Sequence, residues 1–146
     1  MCGHSFRFSS VTRLEGRLIS IVDTGVAKSN APVNATVRAG DFVYLVAIPK
    51  DPASGALISG DIEAQARRAL ANLSQAISAA GGSLSDIAQV VVYLTDESDF
   101  AGMNKAYVAA FGEPYPSRAT VIVKGLMGGI KIELVANAYV PRSGRP

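Results

Sequence analysis

Hydrophobic and polar positions alternate in the first third of this chain and change to helical spacing after it. Residues 17–23, 32–38 and 42–48 are short runs rich in β-branched and aromatic side chains, which predicts three strands. The turn at residues 39–41 separates the second strand from the third, as in a hairpin. The run PKDPASG at residues 49–55 is dense in turn formers and ends this strand region.

Two later stretches have apolar residues three and four positions apart, which predicts amphipathic helices. The first begins near residues 59–61 and ends at Gly81-Gly82, with Asn72 among the residues of its polar face. The second spans residues 100–111, with Ser98 or Asp99 available to cap its start. Residues 87–95 between the helices, IAQVVVYLT, predict a buried strand.

Two more strands, at residues 118–124 and 130–140, complete the pattern and are joined by a glycine-bearing loop. The predicted order is therefore β, β, β, α, β, α, β, β. A helix between two strands implies a crossover connection, and two helices over one mixed sheet of about six strands form an α+β layer fold. The sheet face that the helices leave uncovered is expected to contact a partner.

The last two strands are almost wholly apolar except for Arg118 and Glu133. A guanidinium is a permanent cation whose planar fork of donors matches a carboxylate, and a glutamate on a mostly buried strand can hold or move a proton. The pair therefore indicates a site that binds an acid and activates water. The register of a hairpin decides whether the two side chains share a face, and the alternative is that they meet across a subunit boundary. The simpler readings are a surface ion pair for the arginine and an exposed sheet face for the glutamate.

The composition is that of a single domain, residues 1–146, with excess apolar surface. A chain of 146 residues is long enough to bury a core of its own. The hydrophobic fraction of 49% is high beside a charged fraction of 18%, which indicates that another subunit covers part of the surface. The net charge is +2 and no basic run is present, so we expect no nucleic acid partner.

Cys2 and His4 are the only cysteine and histidine, so the sequence predicts no internal disulfide and no metal site. Residues 1–16 lack the apolar core and the cleavage site of a secretory signal, and we expect them to form a variable leader. The apolar stretches are too short to span a bilayer. We therefore expect a cytoplasmic protein with no membrane partner.

Six segments follow one another in a recognisable order. They are RAGDFVY (38–44), IPKDPASG (48–55), AQARRALANL (64–73), the span from AAGGSLSDIAQVVVYLTD to DFAGMNKAYVAAFG (79–112), YPSRATV (115–121) and IKIELVANA (130–138). In this order they resemble the RidA family of reactive intermediate deaminases, also called the YjgF family. The resemblance implies a small α+β subunit, similar to the chorismate-mutase-like fold, that forms a homotrimer with its helices outside and its sheets around a central barrel.

The resemblance also implies an activity and roles for individual residues. The family hydrolyses enamines or imines derived from amino acids to 2-keto acids and ammonia, in clefts between adjacent subunits and with no cofactor or metal. Arg118 matches the family arginine that binds the substrate carboxylate, Glu133 the glutamate that positions or activates the attacking water, and Asn104 a pocket asparagine. The expected substrate is therefore a small molecule that bears a carboxylate.

The chain departs from the family pattern in three places of the expected pocket. Val33 stands where the family usually has a tyrosine, Val46 and Ala47 stand in place of Ser-Gly-Gln, and Thr120 stands where a cysteine is often found. These changes make the pocket more apolar and favour a bulkier or more hydrophobic imine acid. One alternative is a trimeric, non-catalytic binding protein for small carboxylates. Endoribonuclease activity, attributed to some relatives, is a third hypothesis that the near-neutral charge disfavours.

Overall fold

In the computed structural model, which describes residues 19–142, the chain forms one mixed sheet with two α-helices on one face. The strands are β1 (Ile19–Ile21), β2 (Thr36–Ala39), β3 (Phe42–Ala47), β4 (Ile87–Leu94), β5 (Ser117–Ile122) and β6 (Ile132–Tyr139), and the helices are α1 (Ile62–Ala79) and α2 (Phe100–Phe111). This succession confirms the predicted order and the α+β fold class. The leader at residues 1–16, with Cys2 and His4, lies outside the described residues.

The strands lie in the order β1-β2-β3-β6-β4-β5. Neighbouring strands are antiparallel except for β4 and β5, which are parallel because α2 carries the chain back across the sheet between them. The chain then returns through residues 123–131 and places β6 between β3 and β4. The predicted hairpin of the last two strands is therefore wrong, since β4 separates them.

Side chains alternate across the sheet, so each strand has a helix-facing set and an open set. The helix-facing set includes Val43, Leu45, Val90, Val92 and Leu134, which are at most 1% exposed. These residues pack with the apolar faces of α1 and α2 in one core. The open set includes Phe42, Tyr44, Val46 and Tyr139, which are 40–53% exposed. Within a single chain, the open face therefore leaves large apolar side chains in contact with water.

Local chemistry sets both ends of α1. The Asp61 carboxylate accepts a hydrogen bond from the backbone N–H of Ala64 at 2.9 Å and caps the start of the helix. At the other end Gly81 has a φ of +89°, which favours glycine. The N–H groups of Gly81 and Gly82 donate to carbonyls of the last helical turn, each at 3.0 Å. The predicted start and stop of this helix are confirmed.

The start of α2 differs from its prediction. A 3₁₀ turn at Glu97–Asp99 leads directly into the helix, so the side-chain cap lies one turn earlier, where the Asp96 carboxylate accepts a hydrogen bond from Ser98 N at 2.8 Å. Asp99 occupies the helix cap position without a capping hydrogen bond, so the predicted cap at Ser98 or Asp99 is wrong. Neither helix of residues 19–142 has the length and apolar character that a membrane span requires.

Arg38 on β2 joins three elements at one end of the sheet. Its guanidinium donates to the carbonyl of Ala80 after α1 at 2.6 Å, to that of Val140 after β6 at 2.6 Å, and to that of Gly40 in the β2–β3 turn at 3.2 Å. Carbonyls at helix and strand ends have no partner in their own element, and this one side chain supplies donors to all three. The half-buried Arg38 therefore serves the scaffold.

Candidate functional site

Arg118 lies on the helix-facing side of β5, beneath α2. Its cross-strand partner is Val90, a fully buried residue of the helix-facing set. The guanidinium carbon lies 4.7 Å from the centre of the Tyr107 ring and 5.7 Å from that of Phe100. One guanidinium nitrogen is 3.9 Å from the sulfur of Met103. The cation is therefore half-buried between aromatic faces, an arrangement that attracts it without neutralising its charge.

No carboxylate of residues 19–142 forms an ion pair with Arg118. The ion pairs found in this part of the chain join Glu63 to Arg67 and to Lys105 on the helix surface. The alternative reading of Arg118 as a surface ion pair therefore finds no partner among the described residues. A half-buried guanidinium that stacks on rings keeps its planar fork of donors available for an acid from outside.

A hollow of about 240 Å³ opens beside this guanidinium, lined by Tyr107, Val108, Tyr115, Pro116 and Arg118. Tyr107 is only 4% exposed, and its hydroxyl has no hydrogen-bond partner among the described residues. Burial raises the pKa of Tyr107 above its ordinary value, and the positive charge of Arg118 opposes the shift. The phenol is therefore neutral and a potential donor at physiological pH.

Asn104 and Thr120 belong to the same half of the molecule. Asn104 is half-buried on α2, four residues after Phe100 and three before Tyr107, which is the spacing of one helix face. Thr120 follows Arg118 by two residues on β5 and therefore lies on the same side of the sheet, where it is half-buried. The structure thus places two of the predicted pocket residues in the same part of the fold as the arginine, although neither lines the hollow beside it.

Glu133 lies on the opposite side of the sheet. Its cross-strand partner is Tyr93 of β4, and it shares the open face with Val135 and Tyr139, as its sequence position predicted. The carboxylate is half-buried, and no lysine or arginine of residues 19–142 forms an ion pair with it. Because Arg118 faces the helices and β4 lies between the two strands, the two side chains do not meet within one chain.

A larger cavity of about 450 Å³ lies at the end of the sheet where β2 begins and β3 ends, and Glu133 is part of its wall. It is also lined by Val33, Val46 and Ala47, the three apolar positions that the sequence assigned to the pocket. The exposed Met127, whose sequence position did not indicate a pocket residue, contributes from the loop before β6. The structure therefore brings the glutamate and these three predicted residues together, apart from Arg118.

Asn72 of α1 also lines this cavity and corrects its predicted place on the polar face of the helix. It is 3% exposed because its amide group donates to the carbonyls of Ile48 at 3.0 Å and Lys50 at 2.9 Å, just after β3. Its amide oxygen accepts a hydrogen bond from Arg68 at 3.0 Å. A buried polar side chain that bonds backbone carbonyls is hard to predict from helical spacing, because the spacing shows only that the residue is polar and not that it has buried partners.

Comparison with known proteins agrees with this architecture. A family model described as Endoribonuclease L-PSP matches residues 25–140. A RutC family protein of Pyrococcus horikoshii is 42% identical over 113 residues, which cover 77% of this chain and 90% of that protein. A 2-iminobutanoate/2-iminopropanoate deaminase of Salmonella typhimurium is 37% identical over 122 residues, covering 77% of this chain and 94% of that protein.

The crystal structure of RidA from the Antarctic bacterium Psychrobacter sp. has a TM-score of 0.77 at 36% identity, covering 82% of this chain and 98% of that one. The likeness thus extends from sequence to fold. On these grounds the chain is a member of the RidA family, as its ordered segments predicted.

Proposed function

We propose that this protein is a deaminase that hydrolyses enamine or imine derivatives of amino acids to 2-keto acids and ammonia. The observation that carries this proposal is the Arg118 guanidinium, which is held by aromatic rings and has no carboxylate partner among residues 19–142. Such a cation is suited to the carboxylate that every amino-acid imine bears. The name of the Salmonella relative, 2-iminobutanoate/2-iminopropanoate deaminase, supports the same substrate class.

In the proposed reaction Arg118 binds the substrate carboxylate with two parallel hydrogen bonds and fixes the imine carbon. Glu133 takes a proton from a water molecule while the water oxygen attacks that carbon, and the C=N double bond becomes a single bond. The carboxyl group then returns the proton to the nitrogen. The proton of the carbinol hydroxyl then passes through Glu133 to the nitrogen as the C–N bond breaks, so that ammonia leaves and the carbinol oxygen becomes the keto oxygen of the product.

The proposed site lies between neighbouring copies of the chain in a homotrimer. Arg118 and Glu133 lie on opposite sides of the sheet, so a site that uses both takes them from different copies. The exposed aromatic residues of the open face, Phe42, Tyr44 and Tyr139, support self-association through that face. A closed trimer would cover this surface and set the glutamate of one copy near the arginine of the next.

The apolar wall around Glu133 favours a hydrophobic substrate side chain. Val33 and Val46 present only hydrocarbon to the cavity of about 450 Å³. The valines at positions 33 and 46, where the family pattern has hydroxyl-bearing residues, also favour a second candidate, a binding protein for small carboxylates that has lost turnover, because fewer donors remain to hold a reacting water. Ammonia release distinguishes the two.

The test is hydrolysis of imines generated in situ from several amino acids, with ammonia and the 2-keto acid followed against the spontaneous reaction. We expect acceleration by the wild type and a loss of about 10²-fold or more in Glu133→Gln, which keeps the side-chain shape but cannot take the proton. Glu97→Gln, an exposed residue outside the proposed site, is the matched control and should retain full activity.

Other outcomes assign other functions. If 2-keto acids raise the melting temperature while no ammonia is released, the binding protein is the better description. If the protein cleaves RNA in a salt-sensitive manner and leaves imines unchanged, the description of the matching family model applies to this chain and the deaminase proposal is wrong.

A further inference from the structure

Tyr107 has a polar atom that the described part of the chain does not satisfy. Tyr107 is a buried residue of α2. Its hydroxyl has no contact with solvent and no hydrogen-bond partner within residues 19–142. The ring packs on Phe111 at 4.5 Å and lies 6.4 Å from Tyr115, centre to centre. A phenylalanine would make the same ring contacts, so packing alone does not explain a tyrosine here.

The position of the ring relates this hydroxyl to the arginine. The Arg118 guanidinium lies over the face of Tyr107 at 4.7 Å, closer than it lies to Phe100, and both Tyr107 and Arg118 line the hollow of about 240 Å³. The ring restrains the flexible arginine, which otherwise loses much side-chain entropy when it binds a ligand. Both side chains line this hollow, so a carboxylate held there by the guanidinium lies against Tyr107, and the covered hydroxyl donates to it once ligand entry uncovers that atom.

We infer that Tyr107 has two roles in the acid-binding half of the site: its ring positions Arg118, and its hydroxyl donates a second hydrogen bond to the ligand carboxylate. This inference rests on the proposed function, since it takes the ligand of Arg118 to be a carboxylate. A neutral phenol is a donor, and a carboxylate with two oxygens accepts from the guanidinium and from the phenol at once.

The two roles separate in two variants. Tyr107→Phe keeps the ring and removes only the hydroxyl, whereas Tyr107→Leu removes both. Titration calorimetry with 2-oxobutanoate, a stable 2-keto acid, measures affinity without requiring turnover. Thermal unfolding of the ligand-free protein measures stability. Ser74→Ala, which removes an exposed hydroxyl from α1 outside both cavities, is the control.

We expect Tyr107→Phe to bind 2-oxobutanoate about tenfold more weakly or worse, the loss of one hydrogen bond to a charged group. Its ligand-free melting temperature should be unchanged or higher, because an unsatisfied buried hydroxyl has been removed. Tyr107→Leu should bind a few-fold more weakly still, since the stacking on Arg118 is lost as well. Ser74→Ala should bind 2-oxobutanoate as the wild type does and should not lower the melting temperature.

Several results overturn the inference. If Tyr107→Phe binds 2-oxobutanoate as the wild type does, the hydroxyl has no role in binding. If it instead lowers the melting temperature and weakens the oligomer in sedimentation, the hydroxyl is bonded to a neighbouring copy. The calorimetry also separates this inference from the proposed function: a wild type that binds 2-oxobutanoate but releases no ammonia refutes only the deaminase. A wild type that does not bind it refutes both.

Discussion

Two inactive variants should restore activity to each other when they assemble together. Arg118→Ala removes the proposed acid-binding group, and Glu133→Gln removes the group proposed to take a proton from water. Within one chain Arg118 pairs with helix-facing Val90, whereas Glu133 pairs with Tyr93 on the open face, and β4 separates their strands. If both residues serve one reaction, each site takes them from two copies. A mixed oligomer can therefore contain intact sites that neither variant forms alone.

The size of the recovery follows from this arrangement. Arg118→Ala should lose about 2–4 kcal/mol of transition-state binding, roughly 30- to 1000-fold in rate, and Glu133→Gln about 10²-fold or more. Each variant alone therefore keeps a few per cent of wild-type activity at most. When equal amounts assemble at random, a site is intact if a Glu133→Gln copy supplies its arginine and an Arg118→Ala copy supplies its glutamate. The chance of this combination is about one quarter. The mixture should recover roughly that fraction.

The assay is ammonia release from imines, with the two variants produced together in the same cells in equal amounts. The same two proteins, purified separately and then combined without exchange of subunits, are the control and should stay inactive. Sedimentation confirms that both variants assemble as the wild type does. If they assemble normally and the co-produced mixture is no more active than either alone, the argument from the two sheet faces is wrong. If Arg118→Ala alone hydrolyses imines like the wild type, its proposed role is wrong.

The scaffold offers two further tests, both read by chemical or thermal unfolding. Arg38→Ala should lower the free energy of unfolding by about 2 kcal/mol or more, because three backbone carbonyls lose a charged donor. The control is Arg67→Ala, which should lower it by less than about 1 kcal/mol because the Arg67 side chain is 65% exposed. Equal losses in the two variants would contradict this account. Gly128→Ala should cost about 1–2 kcal/mol, because Gly128 has a φ of +82° and an added methyl group would collide with Leu57. Gly125→Ala, where an added methyl group has open space, should be close to neutral, and a Gly128→Ala protein as stable as Gly125→Ala would refute the reasoning.

Helix α1 could be predicted closely because local chemistry sets both of its ends. The Asp61 carboxylate and the left-handed Gly81 act within one turn of the residues that they cap, so the sequence contains the whole signal. The pairing of β5 with β6 could not be predicted in the same way. They are consecutive strands joined by a loop, which favours a hairpin, but the crossover through α2 pairs β5 with β4 and leaves the central position to β6. That outcome depends on contacts between distant parts of the chain.

The candidate site could be predicted in part, for a similar reason. Arg118 and Glu133 are conspicuous as isolated charges in apolar strands. Tyr107 was harder to predict as a site residue. Its helical spacing indicates a buried ring but does not show whether that ring packs on leucine or on a guanidinium. The opposite placement of the two charges was also beyond the sequence, since side-chain alternation gives a face only after the strand pairing is known.

Comparison of two arginines in this one chain supports the proposal that Arg118 binds a ligand, whereas Arg38 serves the scaffold. Both are half-buried, and both face the desolvation cost that any such cation has. Arg38 offsets that cost with hydrogen bonds to three backbone carbonyls, the longest at 3.2 Å. Arg118 has, within residues 19–142, only ring faces and a thioether at 3.9 Å, and the buried Tyr107 hydroxyl beside it is unpartnered too. A carboxylate bound as proposed would supply acceptors to both the guanidinium and the phenol.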